Sequence, residues 1–226
     1  MMMRSAKSTL MIFTYIFAMF LLPFISMATI QLGFNTNNNE FITVMANLVS
    51  YVFLLIVVVV LFKEDLVTDF KRIQSTKKYL AGIFIGWGIL YIGLIFSNIL
   101  LLYVFKANDN SVNQQVIEDI MKIYPVLMAF TTVGLAPICE EVVFRLTIMK
   151  QFKKYRWVGL LVSSLLFGLI HVISAGDFLY SIPYIIMGLA LGYSYYKHDN
   201  IWYPIGVHLL QNLFSTVILL LTMFML

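Results

Sequence analysis

The chain has 226 residues, 61% of them apolar and only 12% charged, with a mean hydropathy of +0.91. A soluble domain carries roughly 25% charged residues, so the composition excludes a soluble globular protein, a disordered chain and a disulfide-stapled secreted domain. The net charge of +4 is read by its placement, not as a nucleic-acid signal, and the single cysteine, Cys139, excludes an internal disulfide and any multi-cysteine metal site.

Charge-free runs mark the predicted helices in chain order: 8–39, 41–62, 79–105, 123–139, 157–176, 178–196 and 200–226. A helix needs roughly 20 apolar residues to cross ~30 Å of hydrocarbon. Backbone groups in lipid must bond within their own segment. The expectation is therefore an all-α, polytopic transmembrane bundle of seven spans, with an eighth left open. The first run follows Arg4 and Lys7 and continues to Asn39. It outruns the 7–15 residues of a signal-peptide core, so it is read as a spanning helix. The fourth run continues past Glu140 and Glu141 to Lys150 and is read as one long helix bent near Pro137. Twelve basic residues fall in the segments 4–7, 63–78, 150–156 and 197, while Lys106 and Lys122 stand on the other side. By the positive-inside rule this predicts a multi-pass cell-membrane protein with a cytoplasmic N-terminus. Gly82/Gly86 and Gly188/Gly192 predict close helix contacts.

Ionisable side chains inside a span cost roughly 2.5–3.5 kcal/mol each and commonly mark a path or site. Glu141 and Arg145 are four residues apart with the acid first, the favourable order for an ion pair. Glu140 lies ~100° around the helix and has no partner in sequence, which makes it a candidate general base acting on water. His171 and His208 also lie in spans, and Asn212 follows His208 by one helical turn. His198 is read as a solvated turn residue and Cys139 as packing. Counted from the nearest basic-side charge, Glu140 lies ~15 Å deep, His171 ~22 Å, His208 ~13 Å and Asn212 ~20 Å. Three helices thus deliver polar groups to one slab, predicting a wet cavity that opens toward the cytoplasm.

These residues resemble the CPBP family, the CAAX-protease and bacteriocin-processing membrane endopeptidases. Glu140-Glu141-Val142-Val143-Phe144-Arg145 matches its E-E-x-x-x-R, Phe167 to His171 its F-x-x-x-H, and His208 to Asn212 its last H-x-x-x-N motif. The likeness covers about residues 123–215, with Leu146 where a glycine is common. It implies two segments, N-terminal transmembrane helices over 1–120 and a catalytic core over 121–226. It implies an intramembrane endopeptidase in which Glu140 and His171 activate water, His208 and Asn212 stabilise the oxyanion, and Glu141 and Arg145 give structural support. The partners it implies are a membrane-associated peptide or protein substrate and the lipid bilayer, with no nucleic acid. Glu140, His171 and His208 are suitable Zn²⁺ ligands in type, yet no H-E-x-x-H is present, and a metal-free glutamate mechanism uses the same residues. A proton-coupled transporter and a non-catalytic membrane scaffold are the alternatives.

Overall fold

The computed structural model describes residues 4–225, and for Arg4 and Phe224 the backbone alone. The initial methionines, on which the placement of the chain's start rests, lie outside the described residues. Eight helical segments follow in order: α1 (Ser5–Phe34), α2 (Asn39–Lys71), α3 (Thr76–Tyr103), α4 (Val112–Ile123), α5 (Pro125–Gln151), α6 (Arg156–Ile170), α7 (Phe178–His198) and α8 (Trp202–Met225). Six are long and apolar enough to cross a membrane, α6 is a shorter apolar helix, and α4 lies between spans. The result is a helical membrane bundle.

Local chemistry sets the boundaries. Asn38, Ser75 and Ser111 cap α2, α3 and α4 by accepting from Phe41 N, Lys78 N and Gln114 N. Asn35 and Asp199 close α1 and α7 in the left-handed region at φ +46°, a conformation that short polar side chains tolerate. The expected span 157–176 is cut short, because α6 ends at Ile170 and residues 171–176 turn. There the side chain of His171 takes the carbonyl of Phe167 at 2.6 Å.

Two prolines widen the helices that carry them. Pro23 and Pro137 each follow a π-helical turn, at Phe17–Leu21 and Phe130–Leu135. Proline has no N–H and its ring crowds the carbonyl four residues back, so the preceding turn opens. The long fourth helix is thus continuous through Pro137, as expected, with the irregularity taken up as π turns. A third π turn, Val142–Ile148, follows the two glutamates.

Three ion pairs lie at one end of the bundle, Arg72–Asp69, Arg156–Asp199 and Lys150–Asp65, while Lys122–Asp119 lies on α4. The buried Asp69 also accepts from Ile201 N at 2.9 Å, while Asn200 Nδ2 donates to the carbonyl of Asp69. This latch joins the end of α2 to the turn between α7 and α8. Phe34 meets Phe41 edge-on, and Phe41 meets Tyr124 at a tilt, at the opposite end, where α4 lies.

The glycine pairs do what their spacing predicts. A Cβ on Gly82 would meet the Tyr203 ring and one on Gly86 would meet Val207, both on α8. A Cβ on Gly188 would lie 2.9 Å from Ser164 Cα, so α6 and α7 pack backbone to backbone. The largest core cluster joins Met11 and Leu54 to Phe144, Phe167, Leu191 and Ile205, so its residues come from both 1–120 and 121–226.

Candidate functional site

The most enclosed spanning helix, α5, carries Glu140, Glu141 and Arg145, which are 3%, 0% and 0% exposed. An isolated buried charge is prohibitive, so such groups are held in pairs, although Arg145 Nη2 finds no partner among the described residues. Arg145 Nε donates to Glu141 Oε2 at 2.8 Å, as the four-residue spacing predicts. Its Nη1 donates to Ser163 Oγ at 2.7 Å, and Ser163 Oγ donates on to the carbonyl of Phe144. The guanidinium carbon also sits 5.7 Å from the Phe167 ring centre. Together these contacts lock α5 to α6.

The other oxygen of Glu141 reaches α8. His208 Nδ1 lies 3.0 Å from Glu141 Oε1, and His208 Nε2 lies 4.0 Å from Glu140 Oε2. The imidazole therefore stands between two carboxylates that are neighbours in sequence. A carboxylate accepts, so Nδ1 carries the hydrogen toward Glu141. Sequence reasoning placed Glu141 with Arg145 alone and missed this second bond.

Glu140 is not without a partner. Tyr51 on α2 donates its hydroxyl to Glu140 Oε1 at 2.7 Å, across 89 residues of chain. No motif marks Tyr51. It is one of 13 tyrosines and sits in an apolar run, so the only signal was a hydroxyl inside a span.

Phe167 shows why an aromatic stands four residues before the second histidine. Its ring meets Phe144, His208 and His171 at centroid distances of 5.1, 5.8 and 4.8 Å, and its carbonyl takes His171 Nδ1. A carbonyl can only accept, so Nδ1 of His171 carries the hydrogen and, in the neutral ring, Nε2 keeps its lone pair. The opposite face of this imidazole stacks on Tyr184, with centroids 4.5 Å apart and planes 13° apart. Tyr184 in turn is held by Ser111 and Asn113 at the start of α4.

Asn212 Nδ2 donates to the carbonyl of Thr132 at 2.8 Å. That carbonyl is free for a reason. Ala136 N–H donates to Thr131 instead, and the next residue, Pro137, has no N–H to give. Asn212 thus satisfies the backbone group that the proline and its π turn release.

Glu140, His171, His208 and Asn212 all line one cavity of about 430 Å³, together with Tyr51, Phe167 and Tyr184. The cavity continues past Asn113 and Gln114 of α4. Its lining therefore reaches the α4 end of the bundle, whereas the count from the basic residues predicts an opening at the end where Arg72, Lys150 and Arg156 form ion pairs. Distance along each helix is measured from one surface and does not determine which surface the cavity reaches. His198 stacks on Tyr203 at 3.7 Å and Cys139 is buried, so neither lines this cavity.

The zinc alternative needs Glu140, His171 and His208 inside one coordination shell. Among the described residues, no group of three His, Cys, Asp or Glu side chains is disposed to hold a metal ion. His208 and His171 each use Nδ1 toward Glu141 and Phe167 and keep Nε2, a bonding pattern that metal-ligating histidines share. No chemical step is routed through a metal.

Residues 122–214 match the family described as Type II CAAX prenyl endopeptidase Rce1-like. Among curated proteins, the chain is 27% identical to "Putative membrane peptidase YdiL" of Bacillus subtilis, over 76% of this chain and 70% of that protein. It is 30% identical to a protein of Mycoplasma capricolum over 84% of this chain and 60% of that protein. It is 26% identical to "Membrane-embedded CAAX protease MroQ" of Staphylococcus aureus, over 66% of this chain and 62% of that protein. The chain thus spans between three fifths and seven tenths of the length of these relatives. No solved structure matches it significantly.

Proposed function

Because the chain belongs to the CPBP family of membrane endopeptidases, we propose that it hydrolyses a peptide bond of a membrane-associated peptide or protein within the cavity that Glu140 lines. The observation that carries this reading is convergence. Three helices bring a carboxylate, two imidazoles and a carboxamide to one hollow inside a lipid-spanning bundle.

The chemistry follows from the bonds. Tyr51 occupies one oxygen of Glu140, which leaves Oε2 to take a proton from water. His171, fixed by Phe167 and Tyr184, offers Nε2 as the second acceptor for that water. The hydroxide attacks the scissile carbonyl, and the proton held by Glu140 passes to the departing amine. His208 and Asn212 face the negative charge that develops on the carbonyl oxygen, where a single donor contributes about 2.7–4 kcal/mol in other enzymes. Nδ1 of His208 already donates to Glu141, so Nε2 is a donor only in the imidazolium form.

The test compares membrane peptides from cells carrying the wild type and Glu140→Gln. Uncut precursors should accumulate in the variant, and the purified wild type in proteoliposomes should cleave them. Full cleavage by Glu140→Gln or by His171→Ala would overturn the assignment. So would pH-gradient-dependent flux without hydrolysis.

A further inference from the structure

Two carboxamides in the spanning helices have no place in the chemistry above. Asn47 on α2 and Asn98 on α3 both line the cavity, and both lie outside residues 122–214. Among the described residues neither makes a hydrogen bond to the protein. Asn47 is half-buried and Asn98 exposed, so each keeps its carboxamide donors and acceptor free for an occupant of the cavity.

Their positions form a descent. Asn98 is five residues from the end of α3, roughly 8 Å in from the α4 end of the bundle. Asn47 is eight residues into α2, roughly 12 Å in. Tyr51, which holds Glu140, stands one helical turn below Asn47 on the same face of α2. The path therefore runs from the mouth past Asn98 and Asn47 to Glu140.

The chemistry of the lining selects the occupant. A carboxamide offers one acceptor and two N–H donors, the complement of a peptide group. No lysine or arginine among the described residues lines the cavity, so nothing there selects a phosphate or carboxylate. A prenyl chain laid along this wall would bury both carboxamides without partners.

Resting on the hydrolase reading, we propose that Asn47 and Asn98 form a subsite for the main chain of an extended, unlipidated peptide that enters from the α4 end. At ~3.3 Å per extended residue, Asn47 meets the chain about two residues from the scissile bond and Asn98 about three.

The experiment uses the full chain in lipid nanodiscs with a degenerate decapeptide mixture, each member with and without a C-terminal farnesylcysteine. Products are identified by mass spectrometry, and the best-cut sequence is resynthesised for kinetics. The wild type should cut the unlipidated form. Asn47→Leu and Asn98→Leu should each raise KM about fivefold with kcat nearly unchanged, the worth of one hydrogen bond. Neither should lower Tm, because leucine removes an unpartnered polar group from the membrane. An unchanged KM in both variants overturns the subsite. So does a fall in Tm that accompanies the KM change, which marks a packing role, and so does a preference for farnesylated peptide of about tenfold or more. If the wild type cuts no more than Glu140→Gln, the hydrolase reading fails and the subsite falls with it. If Glu140→Gln is dead and both KM values stand, the subsite falls alone.

Discussion

The hydroxyl of Tyr51 meets Glu140 Oε1 at 2.7 Å, so a residue of α2 fixes the carboxylate that α5 carries into the cavity. The bond leaves the second carboxylate oxygen facing His208. Tyr51→Phe deletes the bond and keeps the ring. The carboxylate can then rotate away from its productive position, and misplacement on this scale slows a reaction by about 10- to 100-fold. Steady-state kinetics on the cleaved peptide should show the loss in kcat with KM held. Tyr79→Phe serves as control, since that phenol bonds to the carbonyl of Trp202 instead. Wild-type kcat in Tyr51→Phe would remove the positioning role.

Glu141, Arg145 and His208 form one buried unit, and its parts are not separable. Arg145→Met should destabilise the bundle by about 3–5 kcal/mol, because it leaves the Glu141 carboxylate short of its cation. Glu141→Gln combined with Arg145→Met should cost less than the two single changes summed. Ser163→Ala removes a donor and acceptor between Arg145 and Phe144 and should cost about 1–3 kcal/mol. Thermal unfolding in detergent reads all four. Additive losses would mean that the pair is not coupled.

Much of this unit was legible in the chain. The ion pair followed from helical spacing, the irregular turn before Pro137 from the proline, and the helix contacts from glycines four apart. Each rests on interactions within a turn or two, where sequence separation and spatial separation agree. Tyr51 was hidden because its partner is 89 residues away and nothing local distinguishes it from twelve other tyrosines. The second bond of Glu141 was hidden for the same reason, since it depends on how α8 is rotated against α5. The early end of α6 turns on one side-chain contact, His171 to Phe167, and hydropathy does not register a histidine that consumes a backbone carbonyl. The direction of the cavity depends on how α4 sits across the bundle, which its hydrophobic pattern leaves open.

The latch at the far end should separate stability from activity. Asp69 is buried, accepts from Ile201 N and pairs with Arg72. Asp69→Ala leaves that N–H without its acceptor, while Arg72 keeps the carbonyl of Asp199, at a cost of about 1–3 kcal/mol. It lies at the end of the bundle away from the cavity mouth, so kcat per folded molecule should stay at the wild-type value. A fall in Tm with unchanged kcat, measured on the same preparation, is the expected outcome. A loss of kcat without a loss of stability would tie this end to the site.

Helix packing should reach the chemistry through α6. A methyl on Gly188 would meet Ser164 Cα at 2.9 Å and the Ser164 carbonyl at 3.0 Å, which are backbone atoms that cannot swing aside. Gly188→Ala must therefore push α6 away from α7, at about 1–3 kcal/mol for an overpacked contact. Ser164 lies on α6 and His171 caps its end, so the push separates His171 from Tyr184 and shifts it relative to Glu140. Tm and kcat should fall together. Gly88→Ala adds its methyl where nothing lies within 4 Å, so it should leave both unchanged. If Gly188→Ala lowers Tm while kcat holds, the geometry around His171 tolerates movement of α6. The stack on Tyr184 would then be packing, not positioning.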